Sequence, residues 1–219
     1  MFQHIHQALS EVRELRRRIL DKQRFKGYSG RARAISGCLA LIGAAVIGLD
    51  FVPRSDLSIL AVWTAVCIAA VGLNYGAVLY WFLYNDEASR DPRRLKPLGD
   101  VAPAFLLGAA LTAVLVWRGD FSYLYGTWMG LFGLANFASR HSLPPAIVWV
   151  GWFYLMAGII CLAAPALDFH NPWMMGLVFF AGEWFGGFLL HFDERKGLRG
   201  WASFFGVGGA ENQYEREFE

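Results

Sequence analysis

Apart from Asp50, which stands two residues before the end of the first stretch, Glu183 is the only fully charged side chain inside the long apolar stretches of this sequence. It lies almost midway along the last stretch, residues 172–192. An acid in hydrocarbon is costly unless it is protonated, paired or hydrated, so we expect Glu183 to face the interior of a helix bundle, near the bilayer midplane. Gly186 and Gly187 follow one helical turn later and keep that helix face small. The position predicts either binding of an ion, a proton or a polar ligand, or a structural contact between two helices.

Three further polar side chains are candidates for the same ligand- or ion-binding site: Asn74, Thr127 and Asn136. An amide is costly in lipid, so each asparagine is expected to face protein or water. Hydrogen bonding between helices is the more common role of such amides. If Glu183 is a structural clasp, Asn74 is the neighbour that we expect to hold it.

Two histidines, His141 and His191, each end a predicted helix on the same side of the membrane. Histidines at one depth are ligands that a haem or a metal ion would use. Cationic side chains at helix ends are also favoured by the helix dipole, and no other residue pattern in the sequence indicates electron transfer. We therefore expect both histidines to be ordinary helix-end residues, with no metal site and no cofactor.

Common enzyme motifs are absent from the sequence. It contains no GxSxG, no HExxH and no phosphate-binding GxxxxGK[ST]. Its three cysteines, Cys38, Cys67 and Cys161, stand in separate stretches without a CxxC pair, which favours a packing role. We expect neither enzymatic activity nor a nucleic-acid partner.

The elements that must position these residues are six apolar stretches: residues 34–52, 57–84, 101–117, 121–139, 144–164 and 172–192. A helix needs about 20 mainly apolar residues to cross the hydrocarbon of a bilayer, because each residue advances it by about 1.5 Å. Charged residues make up only 17% of the chain, against about 25% in ordinary soluble domains. The sequence predicts an all-α polytopic membrane protein, with six transmembrane helices in a domain of residues 34–192.

The loops between the stretches predict how the helices pair and which way they point. Short links at 53–56, 118–120 and 165–171 predict three antiparallel hairpins. If the chain begins in the cytoplasm, eighteen of its twenty Lys and Arg residues fall on the cytoplasmic side, and only Arg54 and Arg118 fall outside. Positively charged loops favour the cytoplasm. We therefore expect both termini there, in a bacterial inner membrane.

Both ends of the chain lie outside this domain. In residues 1–33, apolar side chains recur at three- and four-residue steps, which predicts an amphipathic helix; they are Ile5, Leu9, Val12, Leu15 and Ile19. Clustered arginines beside this stripe favour the cytoplasmic membrane surface, and contact with a protein partner or a second copy is the alternative. Residues 193–219 are predicted to form a cytoplasmic tail.

Pairs of glycines four residues apart occur in three of the stretches, at 72 and 76, at 126 and 130, and at 182 and 186. They suggest a weak internal repeat. Steps of this kind let helices approach closely, so the glycine faces are also candidates for a homodimer contact.

Two functions fit these features. The first is a small transporter or channel with a polar site centred on Glu183. The second is a non-transporting sensor, scaffold or assembly factor that acts through the N-terminal helix and the cytoplasmic loops. A hydrated cavity at Glu183 would favour the first, and a dry contact between helices would favour the second.

Overall fold

The computed structural model describes residues 12, 29–84, 96–141, 143–164 and 169–195, and these ranges contain helices and no strands. Apart from Val12 and residues 29–33, the predicted amphipathic helix lies outside the described residues, as does the tail beyond Arg195. Six α-helices follow in chain order: α1 (Gly30–Gly48), α2 (Asp56–Tyr84), α3 (Lys96–Arg118), α4 (Leu124–Ala138), α5 (Ile147–Ala163) and α6 (Pro172–Arg195). Short 3₁₀ turns at Phe121–Tyr123 and Ser139–His141 flank α4.

Four of these helices are long and apolar enough to cross a membrane. Their candidate spans are Gly30–Gly48, Asp56–Gly76, Gly99–Arg118 and Pro172–His191. The helix α5 is apolar but shorter, with 17 residues, and α4 has 15. Many large apolar side chains on the outside of the bundle are exposed, as they are in proteins whose surface meets lipid.

The beginning of α1 differs from the sequence prediction. We expected the first helix to begin at residue 34, but it begins at Gly30. The reason is Ser29, whose side-chain oxygen accepts a hydrogen bond from the backbone N–H of Ala32 at 3.3 Å and caps the helix. The earlier start brings Arg33 into the helix and into the bundle. It was expected in the cytoplasmic segment.

Each helix packs against a limited set of neighbours. Among the described residues, α2 packs on α1, α1 on α6, α6 on α5, α5 on α4 and α4 on α3. The two most extensive contacts are those of α1 with α6 and of α4 with α5. The helices α1 and α6, the first and the last of these six, are therefore direct partners.

Glycines explain how closely α1 approaches α6. A Cβ atom at Gly30 would lie 2.5 Å from the carbonyl oxygen of Gly187, and one at Gly187 would lie 2.6 Å from that of Gly30. Farther along the pair, Gly176 faces Ala44 with no room for a side chain. The contact pairs the beginning of one helix with the end of the other, so the two helices are antiparallel, and only small residues permit it.

The pair α4 and α5 is built in the same way. A Cβ atom at Gly133 would lie 2.9 Å from the carbonyl oxygen of Gly151, and one at Gly158 would lie 2.7 Å from the backbone nitrogen of Gly130. A Cβ atom at Gly72 or Gly76 would instead meet nothing within 4 Å. The three predicted glycine pairs therefore occupy different environments, which argues against an internal repeat.

Two clusters of buried apolar side chains fill the bundle. One lies around Tyr125, whose hydroxyl accepts a hydrogen bond from Trp63 Nε1 and donates one to the backbone oxygen of Phe169, both at 2.8 Å. The other lies around Tyr154 and includes Ile147. Glu183 borders this second cluster through its hydrogen bond with Tyr154.

Candidate functional site

A buried ion pair joins the first helix to the last. Arg33 Nη2 lies 3.0 Å from Glu183 Oε1. Arg33 is 7% exposed and Glu183 is 5% exposed, so both charges are removed from solvent. The two residues are 150 positions apart in the chain. An arginine stays charged in proteins, so the pair is electrically neutral only while Glu183 carries its negative charge.

The local sequence places the Arg33 side chain inside the bundle. Gly30, Arg33 and Gly37 recur at three- and four-residue steps, so they share the face of α1 that meets α6. On the opposite helix, a Cβ atom at Gly186 would lie 2.5 Å from Arg33 Nε. Gly186 thus makes the space that the guanidinium occupies. Arg33 Nε has no hydrogen-bond partner among the described residues.

Two further helices contribute a polar group each. Arg33 Nη2 also donates to Asn136 Oδ1 at 2.8 Å, and Asn136 Nδ2 donates to the backbone oxygen of Phe132 at 2.8 Å, which fixes the orientation of the amide. Tyr154 donates its hydroxyl hydrogen to Glu183 Oε1 at 3.0 Å. That single carboxylate oxygen therefore accepts from both Arg33 and Tyr154.

Aromatic packing holds Tyr154 in this position. Its ring is fully buried and lies 4.8 Å from the ring of Phe132 and 5.0 Å from that of Phe179, measured between centroids. Gly182 faces the phenol, where a Cβ atom would lie 2.5 Å from Tyr154 Cζ. A rigid phenol with little room to turn is a well-positioned donor for the carboxylate.

A second polar contact lies one turn farther along α1. Asn74 Nδ2 donates to Ser36 Oγ at 2.7 Å and to the backbone oxygen of Ala70 at 2.9 Å. Ser36 Oγ in turn donates to the backbone oxygen of Ala32 at 3.0 Å. Asn74 therefore fastens α2 to α1 beside the ion pair, and its amide donates to Ser36 and Ala70 instead of Glu183.

The other candidates lie apart from this cluster. Thr127 is nine residues before Asn136 on α4, or roughly 13 Å along the helix axis. His191 is buried, two turns beyond Glu183 on α6, where its backbone faces Gly30. The side chain of His141 lies outside the described residues. Among the residues that the structure describes, no three His, Cys, Asp or Glu side chains are grouped as a metal ion would require.

Sequence reasoning missed Arg33 and Tyr154. Arg33 was counted among the basic residues of the cytoplasmic segment, because that segment contains many arginines. The signal that could have identified it is its spacing with Gly30 and Gly37, which continues the small-residue face of α1 to its beginning. Tyr154 stands in a uniformly apolar stretch, and nothing in its spacing distinguishes it from a packing residue.

The arrangement can therefore do two things chemically. It can fasten four helices together through one carboxylate, one guanidinium, one amide and one phenol. It can also change its net charge if Glu183 takes up a proton. Comparisons of the chain with family models, with curated proteins and with solved structures gave no match.

Proposed function

We propose that this chain is a non-transporting membrane module, a sensor or scaffold, in which the Arg33–Glu183 pair anchors the N-terminal segment (residues 1–28) to the bundle. The observation that carries the proposal is the burial of both charges together with the donors that surround them. A carboxylate that already accepts from Arg33 and Tyr154 is engaged as a structural contact. A transported ion would have to displace these donors.

The place of the pair in the fold supports the same function. Arg33 stands three residues after Gly30, where the N-terminal segment joins α1. The ion pair and the contact of Gly30 with Gly187 hold this junction against α6. A partner that binds the N-terminal segment would therefore act on the bundle through α1 and α6.

We further propose that the chain crosses a bacterial inner membrane six times, as three hairpins, with both termini in the cytoplasm. The distribution of Lys and Arg supports this orientation. The contacts of α1 with α2, of α3 with α4 and of α5 with α6 are compatible with the hairpins. In this topology the charged pair lies in the cytoplasmic half of the bundle, at the level where α1 begins and α4 ends.

The partners follow from the same topology. The bilayer surrounds the helices, and the basic N-terminal segment lies on its anionic cytoplasmic surface or meets a cytoplasmic protein. Gly72 and Gly76 face open space on α2, so they are available for contact with a second copy.

Ion flux tests the proposal. The full chain is reconstituted in liposomes, and proton and potassium movement is followed with an internal pH-sensitive dye under an imposed potassium gradient. We expect the same flux from the natural chain and from Arg33→Gln/Glu183→Gln, in which the site holds no charge. Faster flux from the natural chain, lost in the double variant, would contradict a non-transporting role.

Transport through a site centred on Glu183 is the second candidate function. The observation that favours it is the presence of ionisable side chains within the bundle, since such residues often mark ion or proton pathways. The hydrogen bond from Tyr154 to Glu183 would provide one proton-transfer step. The flux measurement separates the two candidates.

A further inference from the structure

We propose that the Arg33–Glu183 pair is a charge-gated anchor: when Glu183 loses its negative charge, the Arg33 guanidinium leaves the bundle and the first turn of α1 separates from α6. This inference rests on the proposed function, in which the N-terminal segment acts as the responsive part. It adds the chemical event that would release the segment, which is the uptake of a proton by one carboxylate.

The groups that face the guanidinium explain why one carboxylate decides its position. Glu183 of α6 supplies the negative charge, Tyr154 of α5 supplies a phenol, and α4 supplies only the neutral amide of Asn136. His191 of α6 lies nearby, beside the backbone of Gly30. With Glu183 neutral, no carboxylate in this set compensates Arg33. A buried charge without compensation is strongly unfavourable, so the guanidinium is driven toward water.

The beginning of α1 offers a short path to water. Side chains in a helix lean toward its N-terminus. Ser29 caps the beginning of α1 one turn before Arg33, and the side chain of Arg31 is already exposed there. A long arginine side chain can keep its stem along apolar surface while its charged end reaches the interface. The guanidinium can therefore move out toward Ser29 without unfolding α1.

Departure of the guanidinium would also weaken the contact of the two helices. The guanidinium fills the space over Gly186, which has no side chain of its own to replace it. Around it, Gly30 and Gly187 touch through backbone atoms alone. Without Arg33 in place, the first turn of α1 loses its hydrogen bond to Glu183 of α6, and the residues that precede Gly30 are no longer held against α6 through it.

Chemical labelling of arginine tests this inference. Inverted membrane vesicles that contain the full chain are treated with phenylglyoxal, and peptides are analysed by mass spectrometry for the ratio of modified Arg33 to modified Arg31. We expect Glu183→Gln to raise this ratio by about tenfold or more, because the buried charge has lost its partner. Glu183→Asp, which keeps the charge, should leave the ratio close to that of the natural chain.

The control is Tyr125→Phe, which removes two buried hydrogen bonds at the other end of the bundle without changing any charge. An equal rise in this variant, or no rise in Glu183→Gln, would overturn the inference. If Glu183→Gln does not accumulate in membranes, Glu183→Leu provides a second uncharged side chain, and the ratio should rise there too; an unchanged ratio would again overturn the inference. The labelling reports the position of Arg33 and not ion flux, so it can fail while the non-transporting function stands.

Discussion

At the scale of single residues, the pairing of charges explains why an acid is tolerated inside an apolar bundle. Glu183 was expected to be protonated, paired or hydrated, with Asn74 as the candidate neighbour, and the structure places Arg33 beside it at 3.0 Å. The guanidinium fits because Gly186 leaves space for it. The choice of residue at 186 is therefore as important for the pair as the two charges.

The first prediction concerns Gly186. Changing Gly186→Ala places a methyl group 2.5 Å from Arg33 Nε, so the guanidinium must shift away from its partners. We expect the free energy of unfolding in detergent to fall by about 1–3 kcal/mol, the usual cost of overpacking. Thermal unfolding in detergent measures it. Gly72→Ala is the control, because a Cβ atom there meets nothing within 4 Å, and an equal loss in the control would contradict the explanation.

At the scale of helices, the sequence predicted where each helix lies in the chain better than it predicted which helices pack against each other. Apolar length alone located all six helices, and α2 was predicted as 57–84 and found as Asp56–Tyr84. The beginning of α1 was missed because one capping serine moved it by four residues. The pairing of α1 with α6 could not be predicted, since it depends on backbone contacts between glycines that are far apart in the chain.

Only part of the candidate site could be predicted from the sequence. Glu183 was identified because an acid is conspicuous in an apolar stretch. Asn136 joins the same cluster, whereas Thr127 lies roughly 13 Å along the helix from it. Arg33 and Tyr154 were missed because their roles depend on which helices meet, and hydrophobic periodicity does not encode that in a bundle whose outer surface is also apolar.

The second prediction compares two glycines of α4. A Cβ atom at Gly133 would lie 2.9 Å from backbone atoms of α5, while one at Gly130 would meet nothing within 4 Å. Gly133→Ala should therefore separate the helices and lower the free energy of unfolding by about 1–3 kcal/mol. Gly130→Ala should leave it nearly unchanged. Chemical unfolding in mixed micelles measures both, and equal stabilities would contradict the close packing of α4 on α5.

At the scale of the whole molecule, the packing of α1 on α6 joins the two ends of the described bundle. The first helix packs on the last along its length, and the ion pair fastens the same two helices. Neither helix can settle fully without the other, so the bundle is expected to unfold cooperatively. The proposed orientation of this bundle in the membrane rests on the charges of its loops.

The third prediction tests that orientation. In a chain without its natural cysteines, Ser55→Cys and Ser89→Cys should react with an impermeant maleimide from opposite sides of the membrane, because a single helix separates the two positions. Residue 55 should react from the outside and residue 89 from the cytoplasm. Reaction of both from one side would show that α2 does not cross the membrane.

The central claim is that Arg33 and Glu183 are energetically coupled, and a double-mutant cycle tests it most directly. Breaking a buried pair leaves an uncompensated charge, so Arg33→Met and Glu183→Leu should each lower the free energy of unfolding in detergent by about 3–5 kcal/mol. The double variant buries no charge and should recover most of that loss. Losses that simply add in the double variant would contradict the claim that this pair fastens the first helix to the last.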